Sequence, residues 1–151
     1  MVELAAERGL EAVVADVQEL RFADGEFDCV LAGWMLYHVR DLDRGVAELA
    51  RVLAPHGLLV ATTNGGGHLS ELFERVGRAR FELPFSRENG AAILRRSFRT
   101  VEQHDFTTRA RFVNRDAVVR YVSSMTAQVE VPADIEPFEA HGEPTVFLAR
   151  P

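Results

Sequence analysis

Residues 27–63 constrain the fold of this chain more than any other stretch. Residues 27–32 form an apolar run with a single charge, which is typical of a strand buried on both faces. Asp41 can cap a helix whose apolar side chains share one face, namely Leu42, Val46, Leu49 and Leu53. Pro55 ends this helix, and residues 58–61 are a second apolar run. A strand, a crossover helix and a strand in this order require a parallel pair, so the stretch predicts an α/β fold.

The other elements are shorter, and we expect them to belong to the same single domain, residues 1–151. Residues 1–8 are typical of the end of a helix, and residues 12–15 of a short apolar strand that Asp16 closes. The patterns further along the chain predict helices over residues 88–98 and after Asn114, a long alternating strand over 101–113, a loop over 129–139, and a last strand over 145–149.

A glycine loop, Asn64-Gly65-Gly66-Gly67, follows the second strand and precedes a helical pattern. Glycine loops in this position can hold a phosphate at the start of the helix. The spacing here matches neither G-x-G-x-x-G nor G-K-[ST]. We therefore predict a flexible loop beside a site and keep a ligand-contacting loop as the alternative.

Composition and charge exclude several classes of protein. The single cysteine, Cys29, allows no disulfide framework within the chain, and no apolar run approaches the length of a membrane span. We therefore expect a cytoplasmic protein with no membrane contact. A net charge of −6 argues against nucleic acid. Residues 75–120 hold eleven of the 17 arginines, and we expect them to form a solvated face, with contact to an anionic substrate or an acidic subunit surface as the alternative. The five histidines are scattered in the sequence, which predicts no metal site.

Four short motifs, taken in order, carry a resemblance to a known family. They are Asp16-Val17, Phe27-Asp28-Cys29-Val30-Leu31, Leu36-Tyr37-His38-Val39-Arg40-Asp41, and LARVLAPHGLL at residues 49–59. In this order and spacing they resemble the class I S-adenosylmethionine-dependent methyltransferases, especially the small-molecule enzymes of the type 11 group. The resemblance implies a partial Rossmann-like sheet of about five strands, mostly parallel with an antiparallel C-terminal strand, flanked by helices.

The resemblance also implies roles for particular residues. The carboxylate of Asp16 and the backbone N–H of Val17 would read the amino group and a ring nitrogen of adenine. The cofactor pocket would be lined at the carboxyl end of the next strand by Ala32, Gly33 and Trp34. His38 would act as the base for a substrate hydroxyl or thiol, with packing at the start of the next helix as the alternative. Residues 64–82 and 114–125 occupy positions where such enzymes build the acceptor site.

Two strands of the family fold have no counterpart in this sequence. The family's strand order is 3-2-1-4-5-7-6, and its first two strands, with the glycine-rich loop that grips the cofactor, would precede residue 1. Three outcomes are open: the recorded start lies downstream of the true one, residues 12–15 pair directly with residues 27–32, or a second copy supplies the missing edge. We favour a rearranged five-stranded sheet in an N-terminally truncated homodimer.

The sequence therefore leads to two functional hypotheses. The first is S-adenosylmethionine-dependent methyl transfer to a small-molecule acceptor. The alternative is a non-catalytic relic that serves as a dimeric scaffold or regulator, with residues 75–120 as its contact surface. Nicotinamide-dependent oxidoreduction is disfavoured, since it needs a comparable glycine loop and a Tyr/Lys pair, and the chain contains no lysine.

Overall fold

The structure is a computed structural model that describes residues 2–78, 82–125 and 130–151. The strands are β1 (Phe27–Gly33), β2 (Leu53–Asn64), β3 (Thr100–Asp105), β4 (Thr108–Phe112), β5 (Phe138–Gly142) and β6 (Pro144–Arg150). The helices are α1 (Val2–Ala6), α2 (Leu42–Val52), α3 (Ser70–Arg75), α4 (Gly90–Leu94) and α5 (Arg115–Met125), and a 3-10 helix spans Leu36–His38.

The main sheet has four strands in the order β1-β2-β6-β3. Strands β1 and β2 are parallel, and β6 is antiparallel to both β2 and β3, so that only the C-terminal strand runs against the others. This is the 4-5-7-6 half of the strand order that the resemblance implies. The predicted α/β class and the antiparallel last strand are confirmed, with four strands in this sheet where about five were expected.

Helix α2 forms as its sequence predicts and packs on the main sheet. The carboxylate of Asp41 accepts a hydrogen bond from the backbone N–H of Arg44 at 3.0 Å, which satisfies a donor that the first turn leaves free. The helix ends at Val52, because the residue before Pro55 cannot easily stay helical. At Gly57 a Cβ would come within 3.2 Å of the Asp28 carbonyl oxygen, so glycine allows the two parallel strands to approach.

The predicted strand over residues 12–15 is wrong. These residues have no strand pairing, and the nearest ladder contact is an isolated bridge between Asp16 and Glu19. Val13 and Val14 are 70% and 89% exposed. An apolar run forms a strand only where a neighbouring strand accepts its hydrogen bonds. Strand β1 is at the edge of the sheet, but it does not pair with residues 12–15. The rearranged five-stranded sheet that we favoured is therefore not formed.

The predicted long strand over residues 101–113 is divided into β3 and β4, which belong to different sheets. Strand β3 pairs with β6, and strand β4 pairs with β5. Asp105 lies opposite Thr145 and Thr108 lies opposite Gly142, so the same register continues across the break. The two pairs are thus one bent antiparallel ribbon, hereafter the ribbon, with its bend at residues 106–107 and 143. The alternation predicted extended structure on both sides of the break and missed the bend.

Two clusters of buried side chains fill the interior. The first joins the main sheet to α2 and α4 and includes Leu36, Val46, Leu59, Phe85 and Phe147. The second joins α3 and α5 to the β4-β5 sheet and includes Leu72, Phe112, Val118, Val122 and Phe138. We call the elements around this second cluster the cap. The cap lies beyond the carboxyl ends of β1 and β2, where the candidate site is found.

The remaining local predictions are met in part. The helix expected over residues 88–98 is regular only over α4, and Asn114 caps α5 through a hydrogen bond from the Ala117 N–H at 2.9 Å. The loop expected over residues 129–139 ends early, since β5 begins at Phe138, and residue 129 lies outside the described residues. Within the described part of the chain, no helix has the length and hydropathy that crossing a membrane requires.

Candidate functional site

Two hollows open where β1 and β2 end. The larger, here called the cleft, has a volume of about 1060 Å³ and lies between the main sheet and the cap. The smaller, here called the groove, has a volume of about 510 Å³ and lies between residues 15–18 and 35–40. Ligands of parallel α/β sheets bind at this edge, so its position favours a binding site.

Asp16 and Val17 lie together in the groove. The Asp16 carboxylate is exposed and accepts three hydrogen bonds from Gln18, one from the backbone N–H at 2.9 Å and two from the side-chain amide. The backbone hydrogen bond from Gln18, supported by the amide, lowers the pKa of Asp16. The Gln18 Oε1 in turn accepts from the Asp41 N–H at 2.8 Å, which ties this segment to the start of α2. The predicted residue Asp16 is thus an ionised carboxylate at the edge of an open groove.

The other predicted cofactor residues are separated by the structure. Ala32 is buried in the first cluster and Gly33 ends β1, and neither lines the cleft or the groove. Trp34 lines the cleft and adopts a left-handed φ of 48°, which is costly for a tryptophan. Its N–H donates to the carbonyl and hydroxyl oxygens of Thr62, and these bonds hold the unfavourable conformation. Strained backbone of this kind is often found at functional sites.

His38 is the one predicted residue that lines both hollows. It ends the 3-10 helix, its side chain is exposed, and its ring meets the ring of Tyr37 edge-on at 4.5 Å between centroids. Its backbone N–H donates to the Met35 carbonyl, so the turn that begins at Trp34 fixes its place. A base at this position can reach a ligand in either hollow.

The glycine loop borders the cleft, but it does not offer a phosphate cradle. The Gly67 N–H donates to the Glu143 carboxylate at 2.9 Å, and the Gly66 N–H to the Glu88 carboxylate at 3.1 Å. The Gly65 N–H donates to the Glu143 carbonyl at 2.8 Å. These donors are already used by the protein, and two carboxylates beside them oppose an anion. The loop lies beside the cleft as predicted, and its flexibility stays a prediction.

The cap supplies the far wall of the cleft, which the sequence did not reveal residue by residue. Tyr121, Ser124 and Met125 come from α5, and His68 and Phe73 from the region of α3. Burial raises the pKa of Tyr37 and Tyr121, so both phenols stay uncharged at neutral pH. The segments 64–82 and 114–125, which the resemblance placed at the acceptor site, therefore meet in one cleft.

A hydrogen-bonded pair of side chains, Glu71 and His141, joins α3 to β5 in the cap. The His141 Nδ1 lies 2.6 Å from Glu71 Oε1, and the His141 backbone N–H donates to Glu71 Oε2 at 3.1 Å. The hydrogen bond with the His141 side chain is the main reason that the pKa of Glu71 falls from the ordinary value near 4.5 to about 2. The pair anchors the cap at an exposed edge.

Replacing Glu71 with glutamine is expected to flatten the acid dependence of stability. Because the pKa of Glu71 is lower in the folded state, its ionised carboxylate stabilises the fold at pH values above about 4.5. This stabilisation is lost as the pH falls toward about 2. Glutamine does not titrate, so E71Q should start less stable at pH 6 and decline less between pH 5 and 3. Urea midpoints measured across this range check the slope. The exposed Glu102, replaced in the same way, is the control, and an unchanged slope in E71Q would contradict the assignment.

A second network fixes the segment that carries Asp16. The Arg51 guanidinium donates to the carbonyl oxygens of Leu20 and Phe22 at 2.9 Å each, and to the carboxylates of Asp24 and Glu48. Glu48 also accepts from the Leu20 N–H, and its bonds to Arg51 lower its pKa to about 2. One helix side chain therefore holds the loop that runs from the groove to β1, in place of strand pairing.

Comparison with known proteins agrees with this geometry. Residues 1–61 match the family model described as a methyltransferase domain, and they contain α1, the groove, β1, α2 and most of β2. Residues 1–61 therefore resemble a methyltransferase domain in sequence. The chain is 37% identical over 103 residues to a malonyl-[acyl-carrier protein] O-methyltransferase of Geobacter sulfurreducens, covering 61% of this chain and 39% of that protein.

Further relatives and solved structures extend the likeness. A demethylmenaquinone methyltransferase of Thermobifida fusca is 43% identical over 56 residues, which cover 37% of this chain and 24% of that protein. The chain thus spans less than two fifths of the length of these curated relatives. A solved S-adenosylmethionine-dependent methyltransferase of Thermotoga maritima, described as a possible histamine N-methyltransferase, has a TM-score of 0.62 at 18% identity, covering 100% of this chain and 69% of that one. This last likeness concerns the fold alone.

In the groove, Asp16 and Val17 have the chemistry that the resemblance requires for the adenine end of S-adenosylmethionine. A carboxylate has about four acceptor positions, so Asp16 can receive the adenine amino group in addition to Gln18. The Val17 N–H has no hydrogen-bond partner among the described residues and remains available to a ring nitrogen. These two groups are adjacent in the chain, as recognition of the amino group and the neighbouring ring nitrogen of adenine requires. The fit covers this end of the cofactor only.

Three arginines of residues 75–120 make contacts within the protein. Arg87 donates to the Thr145 hydroxyl and to the carbonyl oxygens of Phe106 and Pro144. Arg96 pairs with Asp43 at 2.6 Å, and Arg115 donates to two carbonyl oxygens of residues 131 and 132. These arginines therefore serve the fold, and they do not favour the alternative in which residues 75–120 form a contact surface.

Proposed function

We propose that this protein transfers a methyl group from S-adenosylmethionine to a small molecule bound in the cleft. The observation that carries the proposal is the position of His38, which lines the groove on one side and the cleft on the other. A methyltransferase has to bring a cofactor and an acceptor to one point, and His38 marks where the two hollows adjoin.

The residues of the chain have separate roles in this proposal. Asp16 and Val17 hold the adenine, and Trp34, with its strained backbone, forms a wall of the cleft next to the end of β1. When bound, S-adenosylmethionine would supply a methyl group on a positively charged sulfur, which needs no nucleophile on the protein. His38 accepts the proton of the acceptor hydroxyl or thiol as the new bond to carbon forms.

The acceptor site is the cleft, because both segments that vary in such enzymes contribute to its walls. Its volume of about 1060 Å³ is at the upper end of the range for small-molecule pockets, so a small acceptor fits beside the reacting end of the cofactor. The names of the relatives concern a malonyl-[acyl-carrier protein] and demethylmenaquinone. They support a small or carrier-bound acceptor and do not identify it, since the chain covers less than half of either protein.

Replacing Asp16 with alanine is expected to weaken S-adenosylmethionine binding at least about tenfold, since it removes a charge-assisted hydrogen bond to the adenine. Isothermal titration calorimetry of the full chain measures the change. The matched control is D28A, because Asp28 is also an exposed carboxylate and lies at the opposite end of β1, where His56, at 3.4 Å, is its one ion-pair partner among the described residues. Absence of heat with the wild-type chain at millimolar cofactor would contradict the proposed function.

The predicted homodimer stays a prediction, and the open side of β1 supports it. No described strand pairs with this side, and Leu31 on β1 is 70% exposed. An unpaired strand with an exposed apolar residue is a common place for another strand to add. The cytoplasmic location likewise stays a prediction.

A further inference from the structure

We propose that the cleft binds an uncharged aromatic molecule that carries an oxygen substituent, and that His68 Nε2–H donates a hydrogen bond to that oxygen. The inference rests on the proposed function in one respect only, that the cleft is the acceptor site. It names the chemical class of the acceptor and a residue that the sequence did not single out.

The ring of His68 is fixed in one tautomer by the backbone. The Glu143 N–H donates to His68 Nδ1 at 3.0 Å, so Nδ1 is an acceptor and the proton of the neutral ring lies on Nε2. The half-buried side chain lines the cleft, and burial lowers the pKa of His68, which favours the neutral form. Among the described residues, Nε2 has no hydrogen-bond partner. It is therefore a donor left for a ligand.

The walls of the cleft favour a flat apolar molecule. Four aromatic side chains line it, from the turn after β1 and from the cap: Trp34, Tyr37, Phe73 and Tyr121. Met125 adds a flexible thioether, which packs well against aromatic rings. Aromatic faces gain most from contact with another ring, so the shape and polarity of this lining select for an aromatic ligand.

The charges around the cleft disfavour an anion. The N–H groups of the glycine loop are taken by the carboxylates of Glu88 and Glu143, so an anion would meet negative charge at this wall. Arg78 and Glu82 both line the cleft and have opposite signs, and Arg78 has interactions of its own within the protein. The tyrosines are neutral, as described above. A neutral ligand with one hydrogen-bond acceptor matches this arrangement best.

Three probes of one shape and different chemistry test the proposal. They are 2-naphthol, which is neutral at pH 7, the anion 2-naphthoate, and 2-methylnaphthalene, which has no oxygen. We expect 2-naphthol to bind the full chain at least about tenfold more tightly than 2-naphthoate in titrations followed by NMR. Trp34 is the single tryptophan of the chain, so its indole N–H gives one isolated signal that reports binding in the cleft.

Two substitutions at position 68 separate the hydrogen bond from a structural role. In His68→Asn the shorter amide oxygen can still accept from the Glu143 N–H, while the donor at the Nε2 position is lost. This variant should bind 2-naphthol about fivefold more weakly and 2-methylnaphthalene as before. In His68→Gln the longer amide places an N–H near the Nε2 position, and it should bind 2-naphthol within about twofold of the wild type.

Each contrary result overturns the inference. These results are equal or tighter binding of 2-naphthoate, an equal loss for both neutral probes in H68N, a Trp34 signal that does not move, or no binding of 2-naphthol up to its solubility limit. The proposed function fails by a different result, absence of S-adenosylmethionine binding in the groove. The two titrations use different ligands and different residues, so either can fail while the other holds.

Discussion

Replacing Phe147 with alanine is expected to lower the free energy of unfolding by about 3–5 kcal/mol, a large share of the stability of a domain of this size. Phe147 is fully buried in β6, between Ala61 of β2 and Gln103 of β3. Its ring meets that of Phe85 edge-on at 5.4 Å between centroids. Alanine would leave a cavity at the centre of the first cluster that these rigid strands cannot close.

Urea denaturation followed by circular dichroism measures this loss. The matched control is Phe106→Ala, since Phe106 is also a phenylalanine next to the main sheet but is 51% exposed at the bend of the ribbon. We expect the control to cost less than about 1 kcal/mol, because the side chain gives up little buried area. Equal losses in the two variants would show that Phe147 is not at the centre of the core.

Replacing His38 with glutamine is expected to reduce turnover about a hundredfold or more. Positioned bases contribute about 10² to 10⁴ to rate, and glutamine keeps the size and polarity of the side chain without accepting a proton. His38 is exposed and lines both hollows, so the substitution should leave folding and S-adenosylmethionine affinity close to those of the wild type. The rate of S-adenosylhomocysteine release with 2-naphthol as acceptor measures the effect.

The control for this experiment is His56→Gln. His56 is exposed, lies near the start of β2, and pairs with Asp28 at the end of the sheet away from the cleft. We expect this variant to retain the wild-type rate. A His38→Gln protein that binds the cofactor and turns over at the wild-type rate would remove His38 from the proton transfer and leave it as a packing residue.

Residues 27–63 were predictable because their structure depends on local signals. The apolar face of α2, the cap at Asp41 and the stop before Pro55 each act within one or two turns of the chain. The parallel pairing of β1 and β2 then follows from the crossover helix. This part of the sequence also carries the motifs of the family, so fold and family were recognised on the same residues.

Strand pairing beyond this unit depends on partners that are distant in sequence. Residues 12–15 have the composition of a strand and form none, because the outer side of β1 is not paired with them. The alternation over residues 101–113 predicted one long strand but not the bend at residues 106–107, across which the Phe106 N–H still donates to the Pro144 carbonyl in the same register. A pattern of period two does not report where a partner strand changes sheet.

The candidate site was predictable where it rests on motifs. Asp16, Val17 and His38 were found from short signatures, and they line the groove or both hollows. His68 and Tyr121 come from segments far apart in the sequence, and their meeting depends on the cap. No local signal in the sequence distinguishes His68 from a surface histidine. Its single tautomer follows from a backbone N–H 75 positions away.

The unbroken register of the ribbon limits how the cap can be exchanged between related proteins. Each strand of the ribbon belongs to the main sheet at one end and to the cap at the other, with Glu143 at the bend. Inserting one residue on a single side would turn the cap side chains to the opposite face and move the carboxylate that holds Gly67. A chimera with a new acceptor cleft would therefore have to inherit residues 106–112 and 138–143 together, as one module.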